Sequence, residues 1–210
     1  MLSTRPLVAA CAAALTLALP SWFSTSTESL AGVATSKAFA SASQEREAQS
    51  SEQAPITVVV VRHAEKAAGG SDPELTQEGA ERAAALARTL GHAGVTHVFA
   101  SEFKRTQLTV APLAAATGLE VQVVSAREPD AQREAIEALP GGSVVVVAGH
   151  SNTVPGLVAA LGGEIEELEQ HERYGPMLGD DQYDRLFVVT ASESSDGARV
   201  VSTLELRYGE

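Results

Sequence analysis

Arg62-His63 and Gly149-His150 each close a run of four valines, in ITVVVVRH at 56–63 and SVVVVAGH at 143–150. Two imidazoles and a guanidinium brought to one place suit an anion, above all a phosphoryl group. A neutral imidazole offers a basic nitrogen, and a guanidinium offers a planar fork of donors for oxygen. Whether the three meet depends on the elements that carry them. A β-branched run without polar alternation reads as a strand buried on both faces. Side chains just beyond the carboxyl ends of such strands line the functional edge of an open α/β sheet. Two parallel neighbouring strands therefore bring His63 and His150 together, although they lie far apart in the chain. Either histidine alone is most simply a hydrogen-bonded strand-end residue; the matched pair points to a site.

The remaining elements alternate. LTQEGAERAAALARTLGHAG at 75–94 reads as a helix that Thr76 caps, with Leu75, Gly79, Arg82, Ala83, Leu86, Ala87 and Leu90 at helical spacing and Gly91 or Gly94 as its end. A strand at 95–100 leads into a helix over about 103–117, kinked at Pro112 and stopped by Gly118, and then a short strand at 121–124. A helix at 130–142 fits a cap at Asp130 and an end before Pro140. After the second valine strand come a helix over about 154–161 and two strands, 184–190 and 198–208, joined by a turn at 192–197. The expectation is an α/β fold: a three-layer α/β/α sandwich with a mostly parallel central sheet and a late antiparallel hairpin.

The N-terminus reads differently. Arg5 precedes an apolar stretch from Leu7 to Leu19 that Pro20 closes, too short to span a bilayer of roughly 20 residues but suited to a signal-peptide core. Residues 1–40 are expected to be a signal peptide, with an A-x-A pattern at 38–40. Residues 41–54 are expected to be a disordered linker and 55–210 a single domain. Export follows, secreted or periplasmic, with an uncleaved N-terminal membrane anchor as the alternative. Cys11 is the only cysteine, so a chain cleaved after it has neither disulfide nor thiol nucleophile. Residues 1–54 hold three basic and four acidic side chains, which leaves 12 basic against 23 acidic and a formal charge of −11 in the remainder. Without a basic stripe, nucleic acid and anionic membrane surfaces are poor partners for the mature form. An anionic substrate needs its positive field from the site itself, because more distant charges are screened beyond roughly 8 Å.

Ser101-Glu102-Phe103-Lys104-Arg105-Thr106 follows another strand end and puts Arg105 on the first turn of a helix at the same edge. With that, the chain resembles the histidine phosphatase superfamily, the phosphoglycerate-mutase-like group. The resemblance rests on Arg62-His63, Leu75-Thr76 with Gly79 and Arg82, Ser101 with Arg105-Thr106, and Gly149-His150, in that order over nearly all of 56–190. It is closest to small, often exported bacterial members.

The resemblance implies that His63 attacks phosphorus and becomes a phosphohistidine, while Arg62, Arg105 and His150 hold the phosphoryl group. It implies no metal and no organic cofactor, and a small phosphorylated substrate or a phosphoprotein as partner. His63 must then be neutral at the attacking nitrogen, its other ring nitrogen donating to a fixed acceptor such as a backbone carbonyl. The function expected is a phosphatase, acting on phosphomonoesters or phosphoramidates. A phosphoglycerate mutase-type isomerase and a non-catalytic phospho-ligand-binding protein are the alternatives. The acid that protonates the leaving group is not assigned: Glu128, Asp130 and Glu65 are weak candidates, and Ser151-Asn152 stands after His150 where one branch has an acid. His92 and His97 share no face for a metal, His171 reads as a solvated loop or helix-face residue, and Tyr183 and Asp184 begin a strand that could border the site, although packing explains them adequately.

Overall fold

The computed structural model describes residues 54–193 and 198–209. The expected signal peptide, the linker up to residue 53 and most of the 192–197 turn lie outside the described residues. The elements are β1 (Ile56–Arg62), α1 (Gln77–Leu90), β2 (His97–Ala100), α2 (Lys104–Thr117), β3 (Val121–Val123), α3 (Pro129–Glu137), β4 (Val144–Gly149), α4 (Thr153–Ala160), β5 (Glu169–His171), β6 (Gly175–Met177), β7 (Arg185–Glu193) and β8 (Arg199–Arg207). Six strands form one sheet in the order β3-β2-β4-β1-β7-β8, and β5 pairs with β6 in a separate hairpin. The pairs β3·β2, β2·β4 and β4·β1 are parallel, whereas β1·β7 and β7·β8 are antiparallel. The sandwich with a late antiparallel hairpin is the architecture observed.

The uninterrupted valines have a direct cause. Alternate side chains of a strand point to opposite faces, and here both faces are covered. Val58 and Val60 of β1 join Val145 and Val147 of β4 in a core closed by Ile136 of α3 and by Val154, Leu157 and Val158 of α4. Val59, Val61, Val146 and Ala148 enter a second core with Leu86 and Leu90 of α1 and Val110 and Leu113 of α2. Each such valine contributes about 1.5 kcal/mol or more through removal from water, so a polar residue on either face would cost stability. No helix among the described residues is long and apolar enough to cross a membrane.

Local details differ from expectation in three places. Leu75 is not helical; it bridges to Lys66, and Thr76 caps α1 by accepting the Gly79 N–H at 3.0 Å. Asp130 is not the cap of α3. Pro129 takes the first helical position, where its fixed φ fits and its missing N–H costs nothing, so the helix starts earlier and Asp130 lies in its first turn. His171 is exposed at the end of β5, in a polar three-residue strand too short to give a periodic signal.

Candidate active site

Strand pairing assembles the site. Arg62 of β1 is in register with Gly149 of β4, and the His63 N–H donates to the Gly149 carbonyl at 2.9 Å, so the next residues on both strands are neighbours. The rings of His63 and His150 lie 5.4 Å apart between centroids, inclined at 66°. Gly149 is required by the tight turn into α4: a Cβ there would sit 2.9 Å from Thr153 Oγ1 and 3.1 Å from Val154 Cγ2. Thr153 Oγ1 in turn accepts the His150 N–H at 2.9 Å.

The hydrogen bonds fix the tautomers. His63 Nδ1 lies 2.8 Å from the carbonyl of Ala64, which can only accept, so Nδ1 carries the proton and Nε2 keeps its lone pair. Around His150 a chain of hydroxyls gives the opposite assignment. Thr106 donates to the Phe103 carbonyl at 2.8 Å and accepts from Ser101 Oγ at 2.8 Å; Ser101 then accepts from His150 Nε2 at 2.9 Å. The lone pair of His150 is left on Nδ1, which faces Arg105 Nη2 at 3.4 Å. Burial, partly offset by the Ala64 carbonyl, lowers the His63 pKa to about 3, with His150 and the two arginines adding to the shift. Burial and then Arg105 lower that of His150 to about 4. Both imidazoles are neutral at pH 7 while no anion is bound.

The arginines supply the positive field. Arg62 is 5 % exposed; Nη1 donates to the carbonyls of Gly179 and Asp180 at 2.7 and 3.1 Å, and the guanidinium stacks 4.1 Å from the Tyr183 ring centroid. Its Nε is buried without a partner among the described residues, as is that of Arg105. Desolvation lowers the pKa of both. A buried cation without a paired carboxylate is costly, so an anion brought to Arg62 meets a field that only the more distant Asp180, Glu65 and Asp181 temper. Arg105 stacks 4.3 Å from the Phe103 ring centroid, and its Nη1 lies 3.7 Å from Asp72 Oδ1. The same Asp72 oxygen accepts the Lys104 N–H at 3.0 Å, and no side chain of α2's own capping position does so. The loop after β1 thus caps the helix that presents Arg105. Thr109, one turn further on, donates to the Arg105 carbonyl and accepts the Ala64 N–H at 2.9 Å, tying α2 to the histidine strand end.

Residues 58–128 match the sequence pattern of the histidine phosphatase superfamily, branch 1. The matched segment holds Arg62, His63 and Arg105 of the site. Two solved structures reach the same fold at low identity. Mycobacterial glucosyl-3-phosphoglycerate phosphatase is 16% identical, with 73% of this chain and 98% of that one covered and a TM-score of 0.51. The protein described as mycobacterial hydrolase 1 is 17% identical, covering 73% and 99%, also at 0.51. At that identity both speak for the fold alone. No curated protein sequence matches the chain.

Within this site, the three acid candidates stand apart from the histidines. Glu65 is committed to Arg82, whose Nε and Nη2 reach its carboxylate at 2.7 to 3.0 Å, both side chains 14% exposed. Gly79 allows that approach, since a Cβ would sit 2.2 Å from the Glu65 carbonyl oxygen. Glu128 and Asp130 are exposed at the start of α3. Three neighbours went unread in the sequence as site residues. Phe103 packs edge-on against His150 at 5.2 Å, Tyr183 lies 6.0 Å from His63, and Asp72 holds Arg105. Tyr183 reads from sequence as a strand start that could border the site, with packing the preferred explanation, and Phe103 gives no signal because an aromatic beside a strand end reads as packing. Asp72, in a loop without periodicity, gave none either.

Proposed function

We propose that this chain is a phosphatase that works through a phosphohistidine on His63. The observation that carries the reading is the His63 Nδ1–Ala64 bond, which leaves Nε2 unprotonated near the buried Arg62, the partly buried Arg105 and a second neutral imidazole. In the first step His63 Nε2 bonds to phosphorus as the bond to the leaving oxygen or nitrogen breaks. In the second, water attacks phosphorus, the N–P bond breaks, and phosphate leaves with neutral His63 restored. Arg62 and Arg105 stabilise the charge on the phosphoryl oxygens throughout, with His150 as the third holding group. Uncatalysed phosphate-ester hydrolysis is slow enough that the site supplies on the order of 20 kcal/mol, so nucleophile and clamp act together.

Three nearby carboxylates are already engaged. Glu65 pairs with Arg82 and Asp72 with the start of α2. Glu102, against a burial penalty, is held below the usual range by the Ala126 N–H. This favours substrates whose leaving group departs with little help from an acid: aryl phosphates, phosphoramidates and other esters of weakly basic alcohols. Export, proposed from the N-terminal pattern, places such substrates outside the cytoplasm.

The test is turnover of p-nitrophenyl phosphate by wild type and by His63→Ala, with inorganic phosphate affinity measured in parallel. Turnover lost in the variant while phosphate still binds supports the reading. Phosphate binding by the wild type without turnover identifies a phospho-ligand binder instead.

A further inference from the structure

The walls of the phosphoryl site leave one large concavity unexplained. A groove of about 440 Å³ runs beside α4. One wall is the face of α4 that carries Pro155, Gly156 and Ala159; Ile165 and Leu168, from the segment after the helix, form the floor. Tyr174, half exposed, and Pro176 of the β5–β6 hairpin form the other wall. Glu164 and Glu166 line it as well, and no basic residue among the described residues does.

Its position ties it to the phosphoryl site. Asn152 lines the groove and lies two residues beyond His150, a distance that extended chain covers in about 7 Å. The hairpin wall is fixed to the same turn, because the Leu178 N–H donates to the Ser151 carbonyl at 2.9 Å. From there α4 runs eight residues, about 12 Å, which matches three to four residues of extended peptide at roughly 3.3 Å each.

We propose that this groove receives the flank of a phosphorylated peptide or protein segment, apolar with at least one Lys or Arg, whose phosphoryl group sits at His63. The inference rests on the phosphatase reading above and names its substrate class. The carbon-lined walls match aliphatic side chains rather than the hydroxyls of a sugar. The glutamates complement a basic residue and repel anionic headgroups and polyphosphates. Gly156 contributes to the width: a Cβ there meets nothing within 4 Å, so a larger side chain enters the groove without disturbing the helix.

The experiment compares three substrates: p-nitrophenyl phosphate, which has no flank, and two phosphotyrosine peptides with Leu/Lys or Ser/Glu flanks on both sides. The expected kcat/KM is at least about 30-fold higher for the Leu/Lys peptide than for the Ser/Glu peptide. Gly156→Leu is expected to remove at least tenfold of that advantage and to leave p-nitrophenyl phosphate turnover within twofold. Replacement of both Glu164 and Glu166 by Lys is expected to shift the preference away from Lys-containing flanks. Equal turnover of the two peptides overturns the proposal, as does an equal effect of Gly156→Leu on all three substrates. If no substrate is turned over, the phosphatase reading fails, and the groove is judged by binding. Fluorescence anisotropy of the labelled, unphosphorylated Leu/Lys peptide should then weaken about tenfold in Gly156→Leu. No binding, no change in the variant, or tighter binding of a simple alkylammonium than of the peptide overturns the groove assignment.

Discussion

Arg62 and Arg185 are buried arginines at the same edge of the sheet, and their surroundings are opposite. Arg62 ends β1; Arg185 begins the antiparallel β7, each one residue beyond the Val61–Leu186 pair. Arg185, 1% exposed, is saturated. It grips Glu205 of β8 with two bonds of 2.7 Å and uses its remaining donors on Gln182 and on the carbonyls of Glu166 and Glu167. It fastens the segment that leads from α4 to β7. Arg62 has two backbone carbonyls, an aromatic face, an unpaired Nε and no carboxylate within ion-pair distance among the described residues. Position and burial do not separate a structural arginine from a binding one; the remaining hydrogen-bond capacity does. A saturated cation contributes to folding, whereas an unsaturated one carries a cost that a bound anion offsets.

The largest effect tests the site side of this contrast. His63→Ala is expected to lower kcat by at least about 10³-fold, since a covalent path is lost, with the melting temperature unchanged or raised. Activity within tenfold of wild type breaks the nucleophile assignment. The two arginines should then dissociate in opposite directions. Arg62→Met is expected to weaken phosphate binding by roughly 10²-fold, about 3 kcal/mol for lost charged hydrogen bonds, without loss of stability in phosphate-free buffer. Arg185→Met is expected to cost about 3 kcal/mol of stability, as for one partner removed from a buried pair, with phosphate affinity in the surviving folded protein nearly unchanged. Calorimetry and phosphate titration on both variants decide it: parallel losses in both quantities would erase the distinction.

Asp72 sharpens the comparison at smaller scale. Asp72→Ala removes the cap of α2, at about 1 kcal/mol of stability, and the charge beside Arg105, at up to about 1 kcal/mol, for which an increase of up to roughly fivefold in KM is expected. Asp72→Asn restores an acceptor for the Lys104 N–H and not the charge. Recovery of stability with KM still raised assigns the charge a positioning role; full recovery of both reduces Asp72 to a cap.

The histidines add a pH signature. Their folded pKa values lie below the unfolded value of 6.5, so the unfolded chain binds more protons at mildly acidic pH. Their contribution to stability is complete above about pH 6.5 and is lost as pH falls toward 4 and 3. The loss reaches about 1.4 kcal/mol per pH unit for each histidine. His63→Ala should flatten the decline between pH 6.5 and 4 in melting experiments; an unchanged slope contradicts the buried neutral assignment.

Much of this site was legible because buried parallel strands leave a strong trace. Two four-valine runs give β1 and β4, and their matched ends give the meeting of His63 with His150. Thr76 and Gly118 mark helix ends through local backbone chemistry that needs no tertiary information. The reading weakens where contacts cross the chain. Glu65 reads as a neighbour of the nucleophile until Arg82, seventeen residues on, claims it. The role of Arg185 leaves no local trace, because nothing nearby in sequence reveals that Glu205 stands opposite. Pro129 moved a helix start and deprived Asp130 of its cap position. The β5–β6 hairpin, polar and three residues per strand, left no period to read, and with it the groove beside α4 went unread.

The most direct measurement is to trap the enzyme with a labelled phosphoryl donor, quench it in alkali and map both the modified residue and the nitrogen that carries the label. The Ala64 carbonyl occupies Nδ1 of His63, so the account requires an acid-labile phosphoryl group on Nε2 of His63, absent in His63→Ala. A label on Nδ1, on His150 or on any other residue contradicts it, and so does turnover with no trapped phosphoryl group at any time.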